Sequence, residues 1–230
     1  MSSGVPSQTA QAQKSAEMST SSSPADLAIE STVNTALGVS LSSQQKLLVG
    51  SVLDLFAGKP TLRKLKLWTD TATFADPLTK AEGRKQYEAQ WYGLKAAFSE
   101  IEQLSQSVTS AGNPITMDLK TRYKVKGIGS EQVIESVVKI YTDEQGERIT
   151  KVEDRWNGSI PEGAFAKVSL SQLCSPWWWW GSRLGMVAFW GWSLVWWSRP
   201  WEAFRNLNSV VVPAFVGVPK SIEEEEGKGK

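Results

Sequence analysis

Met117-Asp118-Leu119-Lys120-Thr121-Arg122-Tyr123-Lys124-Val125-Lys126 decides the fold class. Met117, Leu119, Thr121, Tyr123 and Val125 alternate with Asp118, Lys120, Arg122, Lys124 and Lys126. A period of two with one polar face describes a half-buried antiparallel strand. Downstream, Gly127-Ile128-Gly129-Ser130 closes a hairpin onto a strand over 133–142. The adjacent Val137 and Val138 predict cover on both faces of that strand. Asp143-Glu144-Gln145-Gly146 makes the next turn, and 148–156 is the last strand. Upstream, Asn113-Pro114 is a turn signal. A first, weakly patterned strand falls within 101–110.

Before residue 99 the period is helical. Ser42 and Gln45 form a capping box, and Leu48, Val52, Leu55 and Phe56 recur at helical spacing. Gly58 and Pro60 end that helix. Thr61 caps a second, short helix carrying Leu62, Leu65 and Trp68. Thr73-Phe74-Ala75-Asp76-Pro77 is extended, because Pro77 disfavours the helical region for Asp76. A third helix over 83–98 carries the stripe Tyr87, Trp91, Leu94 and Phe98. Helices first and long strands after predict an α+β domain with helices on one face of a curved sheet.

The 230 residues carry 25 Lys+Arg, 24 Asp+Glu, no His, one Cys and 12 Trp. A net charge of +1 offers no basic footprint for nucleic acid. The single Cys excludes an internal disulfide framework, and the lack of His excludes Ser-His-Asp and Cys-His dyads. No Gly-rich phosphate loop and no metal-ligand spacing is present, so no cofactor and no metal is expected. Residues 1–41 are rich in Ser, Thr, Ala and Gln, and poor in large apolar residues. That composition predicts a disordered tail. It carries neither a secretory apolar run nor an Arg-rich presequence, and the expected location is cytoplasmic. Residues 220–230, with Glu223-Glu224-Glu225-Glu226, read as a charged, disordered tail.

Residues 168–202 differ from the rest. Nine of the 12 Trp fall between Trp177 and Trp201, and residues 184–198 carry no charge. Three readings compete. A membrane-associated segment through 176–198 is one, although a spanning helix needs about 20 apolar residues and Arg183 interrupts the run. A soluble insert is the second. The third is a translated intron. Lys167-Val168-Ser169 is encodable as AAG-GTG-AGT, which contains a 5′ splice consensus, and removing 168–202 joins Lys167 to Ala203 in frame. A membrane partner is expected only if this segment is genuinely expressed. Residues 42–167 then form the main domain and residues 203–219 its C-terminal extension.

Several motifs resemble the nuclear transport factor-like superfamily, which includes SnoaL-like polyketide cyclases. They are Trp68-Thr69-Asp70, Phe74-Ala75-Asp76-Pro77-Leu78, Gly83-Arg84-Lys85-Gln86-Tyr87, Gln90-Trp91-Tyr92-Gly93-Leu94, Val152-Glu153-Asp154-Arg155-Trp156 and Phe204-Arg205-Asn206-Leu207-Asn208. Within that superfamily the chain looks most like small fungal members. The resemblance implies a cone-shaped curved antiparallel sheet with three helices packed on its concave face. It also implies a pocket for a small apolar molecule, bounded by Phe74, Tyr87, Trp91, Tyr123 and Trp156. Asp76 and Asp154 are the candidate catalytic residues for a cofactor-free isomerase, dehydratase or cyclase. Against this, Asp-Pro commonly caps a turn, Asp154 has arginines nearby to pair with, and aromatic residues on an apolar face are often simply core. A third reading is a non-enzymatic module that forms a homodimer through its sheet. The fold alone chooses none of these.

Overall fold

The computed structural model describes residues 25–127, 131–156 and 216–227. Helix α1, Ser43–Phe56, opens on the expected capping box. The Gln45 amide donates to Ser42 Oγ (3.1 Å) and the Ser42 amide donates to Gln45 Oε1 (2.9 Å). Gly58 stops the chain with φ +72, the left-handed region that favours glycine. Helix α2, Leu62–Leu65, is capped by Thr61 Oγ1, which accepts from the Lys64 amide at 3.3 Å. Strands β1 (Trp68–Ala75) and β2 (Lys80–Glu82) follow, then helix α3, Arg84–Ala97. The meander is β3 (Phe98–Ser110), β4 (Ile115–Val125), β5 (Glu131–Thr142) and β6 (Ile149–Trp156). A short helix α4, Ile222–Gly227, lies near the C-terminus.

The six strands form one curved, unclosed sheet in the order β2-β1-β6-β5-β4-β3. Strand β4 alternates buried residues with half-buried ones and the exposed Asp118, as the quoted stretch requires. Met117, Leu119, Tyr123 and Val138 are buried. Three register shifts along β3–β4 bend this side of the sheet, since each extra residue kinks its strand. Leu48, Val52, Leu53 and Leu55 of α1 share one core with Tyr87 and Trp91 of α3 and Met117, Val138 and Val152 of the sheet.

Four expectations need correction. The sheet is mixed: β1 pairs β6 in parallel, with Phe74 opposite Val152. These two strands come from opposite ends of the domain, so no hairpin dictates their direction. Trp68 opens β1 and does not extend α2. The β-branched Thr69, Thr71 and Thr73 favour the extended chain, which buries Trp68, Ala72 and Phe74 on one face.

Residues 25–41, expected as part of a disordered tail over 1–41, lie against the body, and residues 1–24 lie outside the described residues. Leu27 and Leu41 are buried, and Thr35 bridges Val108 of β3. A polar anchor holds this strap where apolar content is low. Asp54 of α1 accepts from the Glu30 amide (3.0 Å), the Ser31 amide (2.9 Å) and the Ser31 hydroxyl (2.6 Å). Lys64 Nζ lies 2.9 Å from the same carboxylate, with both side chains almost fully buried. Burial alone would raise the Asp54 carboxyl, but Ser31, Glu30 and Lys64 outweigh it and hold it below its usual range.

The acidic C-terminus is also docked within 222–227. Glu225 Oε2 accepts from the Leu62 amide at 3.0 Å, at the first turn of α2, and Glu225 also takes the Tyr92 hydroxyl. Arg63 pairs with Glu226 at 2.5 Å. Among the described residues no helix is long and apolar enough to cross a membrane. The Trp-rich stretch 168–202 and its neighbour 203–215 lie outside the described residues.

Candidate functional site

The register of β4, β5 and β6 lays out the helix-covered face as rows. Ile115, Ile140 and Val152 form one row, continued onto β1 by Phe74. The next row is Met117, Val138 and Asp154, followed by Leu119, Ser136 and Trp156, and then Thr121 and Ile134. Tyr123 lies one strand repeat further along β4. The apolar rows therefore give way to a polar group of Thr121, Ser136 and Asp154, all buried.

Asp154 is the centre of this group, at 7 % exposure. Its Oδ2 accepts the Trp156 indole N–H at 2.9 Å. Its Oδ1 is buried with no hydrogen-bond partner among the described residues, as is Thr121 Oγ1. Burial pushes the Asp154 carboxyl up to about 6, while the Trp156 indole and the Ser136 hydroxyl pull the other way. Tyr123 is raised as well, first by burial and then by the negative charge of Asp154. Its ring meets Phe98 at 5.0 Å between centroids. The arginines near Asp154 in sequence go elsewhere: Arg155 pairs with Glu153 at 2.9 Å, and Arg148 donates to the Trp68 carbonyl at 2.6 Å.

Asp76 follows β1 and caps the turn after it. Its Oδ1 accepts from the Leu78 amide (2.7 Å) and the Thr79 amide (2.5 Å), and its own amide donates to the Thr79 carbonyl (2.9 Å). That is the Asx geometry which Asp-Pro favours.

Phe74, Tyr87 and Trp91 pack among themselves and with Phe56 and Trp68. Phe74 and Trp91 are 4.5 Å apart between centroids, Phe56 and Trp91 5.1 Å, and Trp68 and Tyr87 5.1 Å. The Tyr87 hydroxyl donates to the Thr69 carbonyl at 3.2 Å. The expected pocket residues thus divide into a packed aromatic layer and a polar end holding Tyr123, Asp154 and Trp156. Thr121 and Ser136 were not singled out from sequence, although their strand parity with Tyr123 and Val138 places them on this face.

The opposite face is a charge lattice. Lys120 pairs with Glu135 (2.6 Å), Lys124 with Glu131 (3.4 Å), and Arg122 with Glu102. These cross-strand pairs neutralise the basic row of β4. Among the described residues no cluster of three His, Cys, Asp or Glu is placed to hold a metal.

No protein-family profile matches the sequence, and no curated protein matches it. Solved structures do resemble the fold. An NTF2-like protein from Anabaena variabilis is 13 % identical, aligned over 54 % of this chain and 97 % of its own, with a TM-score of 0.45. A Shewanella putrefaciens protein assigned as a SnoaL-like polyketide cyclase is 14 % identical, over 75 % and 98 %, with a TM-score of 0.43. An NTF2-like protein of unknown function from Exiguobacterium is 13 % identical, over 49 % and 99 %, with a TM-score of 0.40.

Proposed function

We propose that the chain is a SnoaL-like domain that binds a small apolar molecule in a cone opening between its sheet and its helices, with Asp154 as the polar anchor. The observation that carries this reading is the buried Asp154 carboxylate, held by the Trp156 indole at Oδ2 and with Oδ1 left without a partner among the described residues. A buried polar oxygen with no partner costs roughly 1–3 kcal/mol, and a ligand donor would recover that cost. Apolar walls with a few convergent polar groups are the usual make-up of a small-molecule site. Titration of the protein with small cyclic hydrocarbons bearing one polar group, followed by NMR, tests the reading. The Trp156 indole N–H signal should shift, and the Trp68 indole in the packed layer should not. A shift at neither indole would remove the site.

A second reading is favoured by the Asp154 carboxyl titrating near 6. A carboxylate close to neutral is suited to taking a proton from carbon in an isomerase, dehydratase or cyclase. Asp154 then serves as the base, and Asp76 serves the turn. Turnover of an enolisable ketone that survives Asp154→Asn would clear Asp154 of that role.

A further inference from the structure

Among the described residues, Asp154 is treated differently from the buried Asp54 and the half-buried Glu88. Asp54 has a lysine at 2.9 Å and three hydrogen-bond donors from the strap. Glu88 has Arg84 at 3.0 Å. Asp154 has neutral donors alone, the Trp156 indole and the Ser136 hydroxyl, and no described Lys or Arg contributes to its state. The charged groups that act on nearby Tyr123 are Asp154 and Asp76, both acidic. The site therefore holds a negative charge and an open acceptor beside the Trp156 indole, within electrostatic reach of Tyr123, with no positive charge from the described chain.

Buried charges in proteins are paired. A hydroxyl donor would meet the hydrogen bond at Oδ1 and leave the charge uncompensated. An anion would be repelled. An ammonium group meets both needs and also gains from neighbouring aromatic faces. We propose that the site takes a small apolar molecule bearing one protonated amine, with an ammonium N–H donating to Asp154 Oδ1 and the hydrocarbon lying against the Trp156 indole on the side of Tyr123. This rests on the pocket reading above and adds the charge of its occupant.

Three probes with one ring and different heads separate the outcomes: cyclohexylamine, cyclohexanol and cyclohexanecarboxylate. Each is titrated into the full chain at pH 7.5, with affinity taken from the Trp156 indole shift. The amine is expected to bind about tenfold or more tighter than the alcohol, a gain of about 1.4 kcal/mol or more. The carboxylate is expected to bind more weakly than either. Asp154→Asn keeps an acceptor oxygen for the Trp156 indole, so the fold is retained while the charge is lost. In that variant the amine should fall to the affinity of the alcohol. Equal binding of alcohol and amine by the wild-type chain overturns the inference and leaves the pocket standing. So does unchanged amine affinity in a folded Asp154→Asn variant. No indole shift with any probe overturns both.

Discussion

The Asp154 carboxyl is pushed from 3.8 up to about 6, chiefly by burial. Between these values the folded chain holds a proton that the unfolded chain has released. Stability therefore falls as pH rises through this window, by roughly 3 kcal/mol in total, and the loss is complete above it. Asp154→Asn removes the titration. Urea unfolding at pH 4 and pH 7 should show the variant about 1–3 kcal/mol more stable than wild type at pH 7, with a flatter profile between the two. A wild type that loses no stability relative to Asp154→Asn between pH 4 and pH 7 would refute the burial account. Asp76 makes the contrasting case. Asp76→Ala removes the acceptor for the Leu78 and Thr79 amides and should cost about 1 kcal/mol in the same assay. The Trp156 indole signal should stay where it is, because Asp76 holds a turn and the indole is bonded to Asp154.

The strap over residues 25–41 depends on one side chain of α1. Removing the Asp54 carboxylate leaves Lys64 buried without its partner, a class of change that costs about 3–5 kcal/mol. Asp54→Ala should lose that much and should also free the Glu30 and Ser31 amides to exchange with solvent. Adding Lys64→Met should restore part of the stability and none of the amide protection, since the methionine fills space and supplies no acceptor. Recovery of protection in the double variant would show that the strap is held by its apolar contacts at Leu27 and Leu41. The strap also covers part of the outer edge of β3: the Val108 amide donates to the Asn34 carbonyl at 2.9 Å, and the Ala36 amide donates to the Val108 carbonyl at 2.8 Å. Those bonds use backbone groups that an open edge would offer to another chain.

At the scale of the whole molecule, the core among the described residues draws on residues 41–152, and the intron reading requires that 168–202 add nothing to it. Excising 168–202 should leave the thermal midpoint within about 2 °C, the change expected for well under 1 kcal/mol in a domain of this size. Under the intron reading it should also reduce aggregation, because nine tryptophans that a complete domain does not use favour self-association. A midpoint lowered by several degrees would make the segment part of the fold. Transcript sequencing decides separately whether these codons survive splicing. A peptide covering Trp190–Trp197 recovered from cells would end the intron reading.

Local periodicity was enough for β4, the capping box at Ser42 and Gln45, the stop at Gly58 and the parity of Asp154, because each depends on near neighbours and the geometry of one strand or helix. The aromatic stripe of α3 was legible as apolar, but not as a layer packed with Phe56 and Trp68, which come from elements far along the chain. The same holds for the parallel pairing of β1 with β6, the Asp54–Lys64 anchor and the docking of Glu225 on α2. Each joins residues whose separation carries no periodic signal. Low apolar content made 1–41 read as a tail and dense charge did the same for 220–230, and only the buried or paired side chains that receive 25–41 and 222–227 show otherwise for those stretches. For Asp154, the sequence determined the face. The tertiary structure decided the chemistry, since only packing from several strands at once can strip a carboxylate of water and leave one of its oxygens without a partner.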